Sequence, residues 1–186
     1  MHKRSAAYVA QAGVIAALYA ALTLVVLQFP GALGWGLVQF RPSEAVTVVA
    51  ALTPAAAAGL TLGCAVANAF NLSATPLAWF DVVLGSAATL AGALWTWRFR
   101  DRTALALAGP VLFNALVVPA YLPIVLAGAG LYRTPLLGVD LEGAWLPMYL
   151  FGVAAIGVSE AVVVYGLGWP LLTAMRHAGV GRMLSV

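Results

Sequence analysis

The sequence predicts an all-α integral membrane protein, a bundle of six transmembrane helices with both termini cytoplasmic. Three observations carry that reading. The 186 residues are 63% hydrophobic and only 8% charged. Their mean hydropathy is +1.00, far more apolar surface than one soluble domain of this size buries, so the solvent that suits the chain is lipid. Breaks in the apolar pattern leave runs long enough to span a bilayer, and the basic residues gather at the ends of those runs.

The runs fall at about 6–28, 43–53, 54–72, 77–98, 104–129 and 144–175, and residues 1–186 read as a single transmembrane domain. The first, within MHKRSAAYVAQAGVIAALYAALTLVVLQF, begins like a signal peptide. Its apolar stretch from Ala6 to Phe29 is long enough to span, and more spans follow, so it is expected to be a retained helix. The second run is too short to span comfortably. Residues 43–72 taken as one kinked helix would exceed a single crossing, whereas Thr53-Pro54 offers a break at which Pro54 opens a new helix. Loop charges agree with an even number of crossings. Lys3, Arg4, Arg98, Arg100, Arg102, Arg176 and Arg182 fall on one side, Arg41 and Arg133 on the other, and the positive-inside rule makes the first side cytoplasmic.

Several function classes are disfavoured. The net charge of +3 does not signal nucleic acid, because the nine Lys and Arg sit in short clusters at helix ends with no basic face between them. The single cysteine, Cys64, excludes an intrachain disulfide and a CxxC metal site, and buried packing is its expected role. His2 and His177 lie at the cytoplasmic ends, and GxSxG, HExxH and GxxxxGK[ST] are missing. The chain is therefore expected to be no enzyme, to carry no cofactor or metal, and to draw on an outside energy source for any uphill transport.

Polar residues inside the apolar runs are informative, because each costs free energy unless it is paired or lines a cavity. They are Glu44, Asn68, Asn71, Asp81, Asn114 and Glu160. Asn68 and Asn71 share a face near the outer end of the third run, and Asp81 lies about one turn into the fourth from the same side. Asn114 falls about 15 Å from the inner end of the fifth at about 1.5 Å per residue, and Glu160 is near the middle of the last. Together they outline a pocket in the outer half, with Trp79, Phe80, Tyr121, Trp145 and Tyr149 at similar levels and suited to stack on a flat ring. Each has a structural alternative. Ser43 reads as an N-cap with Glu44 in the first turn, asparagines glue transmembrane helices, and aromatic residues anchor at the interface. Asp81 and Glu160 are the hardest to assign a structural role. In the first helix, Ala12, Ala16 and Ala20 form one row of small residues, with Gly13, Ala17 and Ala21 a second row beside it. Such a strip serves either packing within the bundle or docking of a partner subunit.

Five segments in order carry a family resemblance: QAGVIAALYAALT, QFRPSEAVTVVAALTPAAAAGLTLGCAVAN, DVVLGSAATLAGAL, PVLFNALVV and GVSEAVVVYGLGWPL. With them the chain resembles the QueT family, substrate-binding S components of energy-coupling factor (ECF) transporters for queuosine precursors. The resemblance implies a multi-pass protein of the bacterial cell membrane, six helices in the lipid bilayer. It captures a small deazaguanine base from outside and works with an EcfT-type transmembrane coupling subunit and two ATPase subunits, and no nucleic acid is a partner. The row Ala12, Ala16 and Ala20 is similar to the motif by which S components dock on EcfT. Pro119 and Pro123 depart from the pattern just after FNALVV, where a kink is expected.

For such a base, Asp81 and Glu160 are expected to supply carboxylates and Asn68 and Asn114 amides, with Trp79 or Tyr121 stacking. Residues 29–42, FPGALGWGLVQFRP, are expected to form an outer lid carrying Trp35, Gln39 and Arg41. Arg41 and Glu44 would then pair at the mouth or touch the ligand. Two other readings compete: a solitary proton-coupled carrier of a small base or vitamin, and a membrane-embedded enzyme using Asp81 and Glu160 as acid and base.

Overall fold

The structure, a computed structural model, describes residues 2–27, 38–128 and 145–184, with side chains over 6–26, 38–127 and 145–184. These residues are helical in seven α-helices: α1 (His2–Leu27), α2 (Ala55–Ala69), α3 (Ser86–Arg98), α4 (Thr103–Gly128), α5 (Trp145–Val163), α6 (Trp169–His177) and α7 (Val180–Leu184). No strand occurs among the described residues. Helix is the form an apolar chain takes in lipid, where every backbone N–H and C=O must find its partner within the segment. Among the described residues five stretches are long and apolar enough to cross a membrane: Ala6–Val26, Ala55–Ser73, Pro76–Arg98, Thr103–Ala127 and Trp145–His177.

The run expected as a second helix is a 3-10 helix, Pro42–Ala51, and is not among those five. At about 2.0 Å per residue it is roughly 20 Å long. Pro42 begins it, Thr47 Oγ1 donates back to the Glu44 carbonyl at 2.6 Å, and every residue from Ser43 to Ala51 is buried. Three residues per turn align positions i and i+3. Val46 and Val49 therefore pack together against Ile15, Tyr19, Leu60 and Cys64, while Val48 and Ala51 pack against Leu107, Val164 and Leu172. The segment runs through the bundle and joins two of its apolar cores. Ser43 is not its cap. Arg41 holds that position without a side-chain cap bond, and the Ser43 hydroxyl is buried without a hydrogen-bond partner.

α1 and α2 lie parallel, since a Cβ at Gly59 would meet Ala12 O at 2.7 Å and one at Gly63 would meet Ala16 O at 2.6 Å. A parallel pair requires the intervening chain to return to the starting end, and the 3-10 helix makes much of that return. Thr53, just beyond it, donates to Gln11 Oε1 at 2.8 Å. The seam corrects one expectation. Ala16 and Ala20 are buried and the Ala12 backbone abuts Gly59, so the row Ala12, Ala16 and Ala20 faces α2 within the bundle. Gly13, Ala17 and Ala21 form the exposed row.

α4 is one helix that includes Pro110, Pro119 and Pro123. Pro110 has no N–H to give the Ala106 carbonyl, and the buried Thr96 hydroxyl of α3 donates to that oxygen at 3.0 Å instead. At one end of the bundle Arg176 donates to Thr103 Oγ1 and to the Arg100 carbonyl, each at 2.8 Å, and Gln11 Nε2 donates to the Leu184 carbonyl at 3.0 Å. The arginine-rich turn between α3 and α4, the end of α6, α7 and the first half of α1 are thus tied together.

Candidate functional site

At the other end, the chain turns from α2 into α3 through short 3-10 pieces, Phe70–Ser73 and Pro76–Ala78, and a π-helical turn, Asp81–Gly85. Asp81 opens that turn and is held from several sides. Tyr121 Oη of α4 donates to Oδ1 at 2.6 Å and Asn71 Nδ2 to Oδ2 at 3.3 Å. Asn68 Nδ2 donates to the Asp81 carbonyl at 3.0 Å and to Cys64 Sγ at 3.4 Å. Gly85 permits the crowding, because a Cβ there would stand 2.9 Å from Tyr121 Oη, 3.0 Å from Asp81 Oδ1 and 3.1 Å from Asn68 Nδ2.

Asp81 borders a cavity with about 380 Å³ of empty space, counting the part open to solvent. Gln39 and Arg41 come to it from the segment before the 3-10 helix, Glu44 from that helix, Asn114 from α4 and Glu160 from α5. Cys64, Gly85, Thr89, Val118 and Ile156 complete the wall. Asn114 Nδ2 donates to Glu160 Oε1 at 2.7 Å. Tyr19 Oη donates to Glu44 Oε1, while Glu44 Oε2 is buried with no hydrogen-bond partner. Arg41 Nε donates to Gln39 Oε1 at 3.0 Å. Burial opposes the Arg41 charge, but nearby carboxylates, Asp81 foremost, outweigh it and raise its pKa.

Gln39, Arg41, Glu44, Asp81, Asn114 and Glu160 are brought together around one cavity. Asn68 and Tyr121 stand behind the wall, holding Asp81 in place. Trp79 lies outside the lining, 50% exposed, with its ring stacked on Phe80 at a centroid distance of 4.5 Å. Trp145 and Tyr149 likewise stack on each other, at 5.1 Å. The anticipated Arg41–Glu44 pairing is replaced by two other partnerships, Arg41 with Gln39 and Glu44 with Tyr19. Of the anticipated lid, residues 29–37, Trp35 included, lie outside the described residues, as does Arg133. Tyr19, which had not been singled out, is the residue that the sequence signalled most faintly. Its one trace is a phenol in mid-helix, where a buried hydroxyl needs an acceptor. Thr89 was also missed. Its hydroxyl donates to the Gly85 carbonyl at 3.1 Å and to Cys64 Sγ at 3.3 Å, a local bond that gives no outward sign of a cavity.

A family model described as the QueT transporter matches residues 9–177. The chain belongs to the QueT transporter family. Among curated proteins and solved structures, none matches it. Membership of the QueT family makes a transporter the function class rather than an enzyme, and with five long apolar stretches the chain reads as a multi-pass membrane protein. In this QueT chain three of the six acidic residues, Glu44, Asp81 and Glu160, border one cavity. Arg41 is the cation that reaches the same wall among the described residues. Carboxylates clustered this way among apolar helices are costly unless they are paired or line a cavity.

Proposed function

We propose that this chain is the substrate-binding S component of an ECF importer in the bacterial cell membrane. It captures a queuosine precursor, a deazaguanine base, from outside and passes it to an EcfT-type coupling subunit with two ATPases. The observation that carries the proposal is the convergence of Asp81, Asn114, Arg41, Glu44 and Glu160, from separate elements, on one cavity. A guanine-like edge offers a ring N–H and an exocyclic amine to a carboxylate and a carbonyl oxygen to an amide or guanidinium donor. Val118 and Ile156 add an apolar wall for the ring. The tied, arginine-rich end of the bundle is cytoplasmic under the positive-inside rule, so both termini are inside and the cavity faces out. The 3-10 helix, spanning most of the bilayer in the shelter of the bundle, supplies the sixth crossing.

Docking on the coupling subunit falls to the open face of α1. Its apolar span is 28% buried, the least of the five, and Gly13, Ala17 and Ala21 present backbone for close approach there. Ala17→Trp is expected to lower uptake roughly tenfold or more in cells carrying the coupling subunit and ATPases, since overpacking one helix contact costs about 1–3 kcal/mol. Calorimetry on the same purified variant should return the parent affinity for the base. Unimpaired uptake would move the docking face elsewhere.

The proposal is tested by calorimetry with the purified protein in detergent, titrating the aminomethyl deazaguanine base with guanine and riboflavin as controls. Selective binding of the first is the expected result. A folded, monodisperse sample that binds none of the three would end the substrate assignment, and uptake without the ATPases would favour a solitary carrier. Arg41→Ala should weaken binding of the base about fivefold, near 1 kcal/mol for a partly exposed charged donor, with the melting temperature unchanged. Unaltered affinity would confine Arg41 to its bond with Gln39.

A further inference from the structure

The acidic groups of the cavity are not equally engaged. Both carboxylate oxygens of Asp81 already accept a hydrogen bond, from Tyr121 and from Asn71, which fixes its orientation and leaves only its remaining lone pairs for a ligand. Glu44 is different. Its side chain is 2% exposed, Oε1 accepts from Tyr19, and Oε2 has no partner. A buried acceptor left in this state is expensive, by about 1–3 kcal/mol, so an arriving donor gains what the empty site forgoes. Glu160 borders the same cavity and receives a bond from Asn114 on Oε1. Two carboxylates on one apolar cavity repel each other when both are ionised, and a cation seated between them turns repulsion into attraction. Arg41 stands on the same wall, but it makes no hydrogen bond or ion pair with either carboxylate, its Nε donating to Gln39, so the Glu44 oxygen stays open to an arriving donor.

We infer that Glu44 and Glu160 form a cation subsite that receives a primary ammonium group of the substrate, while Asp81 takes the neutral N–H edge of its ring. A primary ammonium is the group that fits. Its three donors on one compact centre can serve Glu44 Oε2 and Glu160 together. A quaternary ammonium has no N–H for the orphaned oxygen, and a planar guanidinium pairs in its fork geometry with one carboxylate rather than bridging two. The inference rests on the proposed function and divides labour within that same site, making the charge on the substrate's side group the main determinant of choice among related bases.

Calorimetry with two probes that share a ring tests it: the aminomethyl deazaguanine base, cationic at neutral pH, and the corresponding nitrile, which is neutral. The parent protein is expected to bind the aminomethyl base at least about tenfold more tightly, the low end for a charge-assisted hydrogen bond. In Glu160→Gln, and separately in Glu44→Gln, that ratio should fall to about threefold or less. Equal affinity of the parent for both probes overturns the subsite and leaves the proposed function standing. A ratio that survives in both variants overturns it too. If the folded parent binds neither probe, subsite and proposed function fall together. The comparison between probes on the parent needs no substitution, so a variant that fails to fold does not blunt the test.

Discussion

Asp81→Ala is expected to cost both affinity and stability, and Asp81→Asn affinity alone. Alanine removes the acceptor for Tyr121 Oη and for Asn71 Nδ2, and both of those residues are buried, at 3% and 6% exposure. Each buried donor left without a partner costs about 1–3 kcal/mol, so the pair should lower stability by about 3 kcal/mol. The ligand loses the acceptor for its ring edge as well. A loss of about 3 kcal/mol in binding corresponds to more than about a hundredfold in Kd. Asparagine keeps the shape and one carbonyl oxygen for Tyr121, and Asn71 can turn its own amide to match. The fold should therefore survive, while the new NH2 meets the ligand donor to donor. Thermal unfolding in detergent together with calorimetry separates the two effects. An Asp81→Asn protein with parent affinity would show that Asp81 holds the cavity wall and does not meet the substrate.

Gly63→Val is expected to be the most damaging substitution on the helix seam. A Cβ at that position would stand 2.6 Å from the Ala16 carbonyl oxygen and 3.0 Å from its Cα, both backbone atoms of α1 that no rotamer change can move. The helices must separate, opening the packing around Tyr19, Leu60 and Cys64. Overpacking of this kind costs about 3 kcal/mol, which for a chain of this length lowers the melting temperature by roughly 5–10 °C. Tyr19 shifts with α1 and takes its hydrogen bond away from Glu44, so binding should weaken in parallel. Gly13→Ala on the same pair of helices is the matched control. Nothing lies within 4 Å of its added Cβ, and its melting temperature should stay level or rise slightly. Equal melting temperatures for the two variants would mean that α1 and α2 do not meet as closely as the seam requires.

Much of the fold was legible because membrane structure is governed by one-dimensional quantities. The length of an apolar run decides what can span, and basic residues at its ends decide orientation, so the α1, α2, α3, α4 and α5–α6 stretches are all visible in the chain. The 43–53 run was visible as an element but not as a 3-10 helix. Its tighter winding comes from being threaded between two cores, with Val46 and Val49 held by one and Val48 and Ala51 by the other. No composition announces that demand. The polar residues of the site stood out for a related reason. Glu44, Asp81, Asn114 and Glu160 are conspicuous in apolar surroundings, whichever way their helices are turned.

By itself, then, the sequence determined the solvent, the helical class and the short roster of residues able to do chemistry, because each of these follows from what lipid does to a backbone or a charge. Only the tertiary structure decided rotation and partnership. α1 is apolar on every side, so its two rows of small residues, one position apart, are equivalent until Gly59 and Gly63 claim Ala12 and Ala16 and leave Gly13, Ala17 and Ala21 outside. The carboxylates likewise become distinct only through neighbours remote in the chain. Tyr121 and Asn71 engage both oxygens of Asp81, and Tyr19 engages one oxygen of Glu44 and leaves the other bare. A hydrogen bond depends on where two groups meet in space, and for groups on different helices that meeting is set by packing, which no stretch of sequence contains alone.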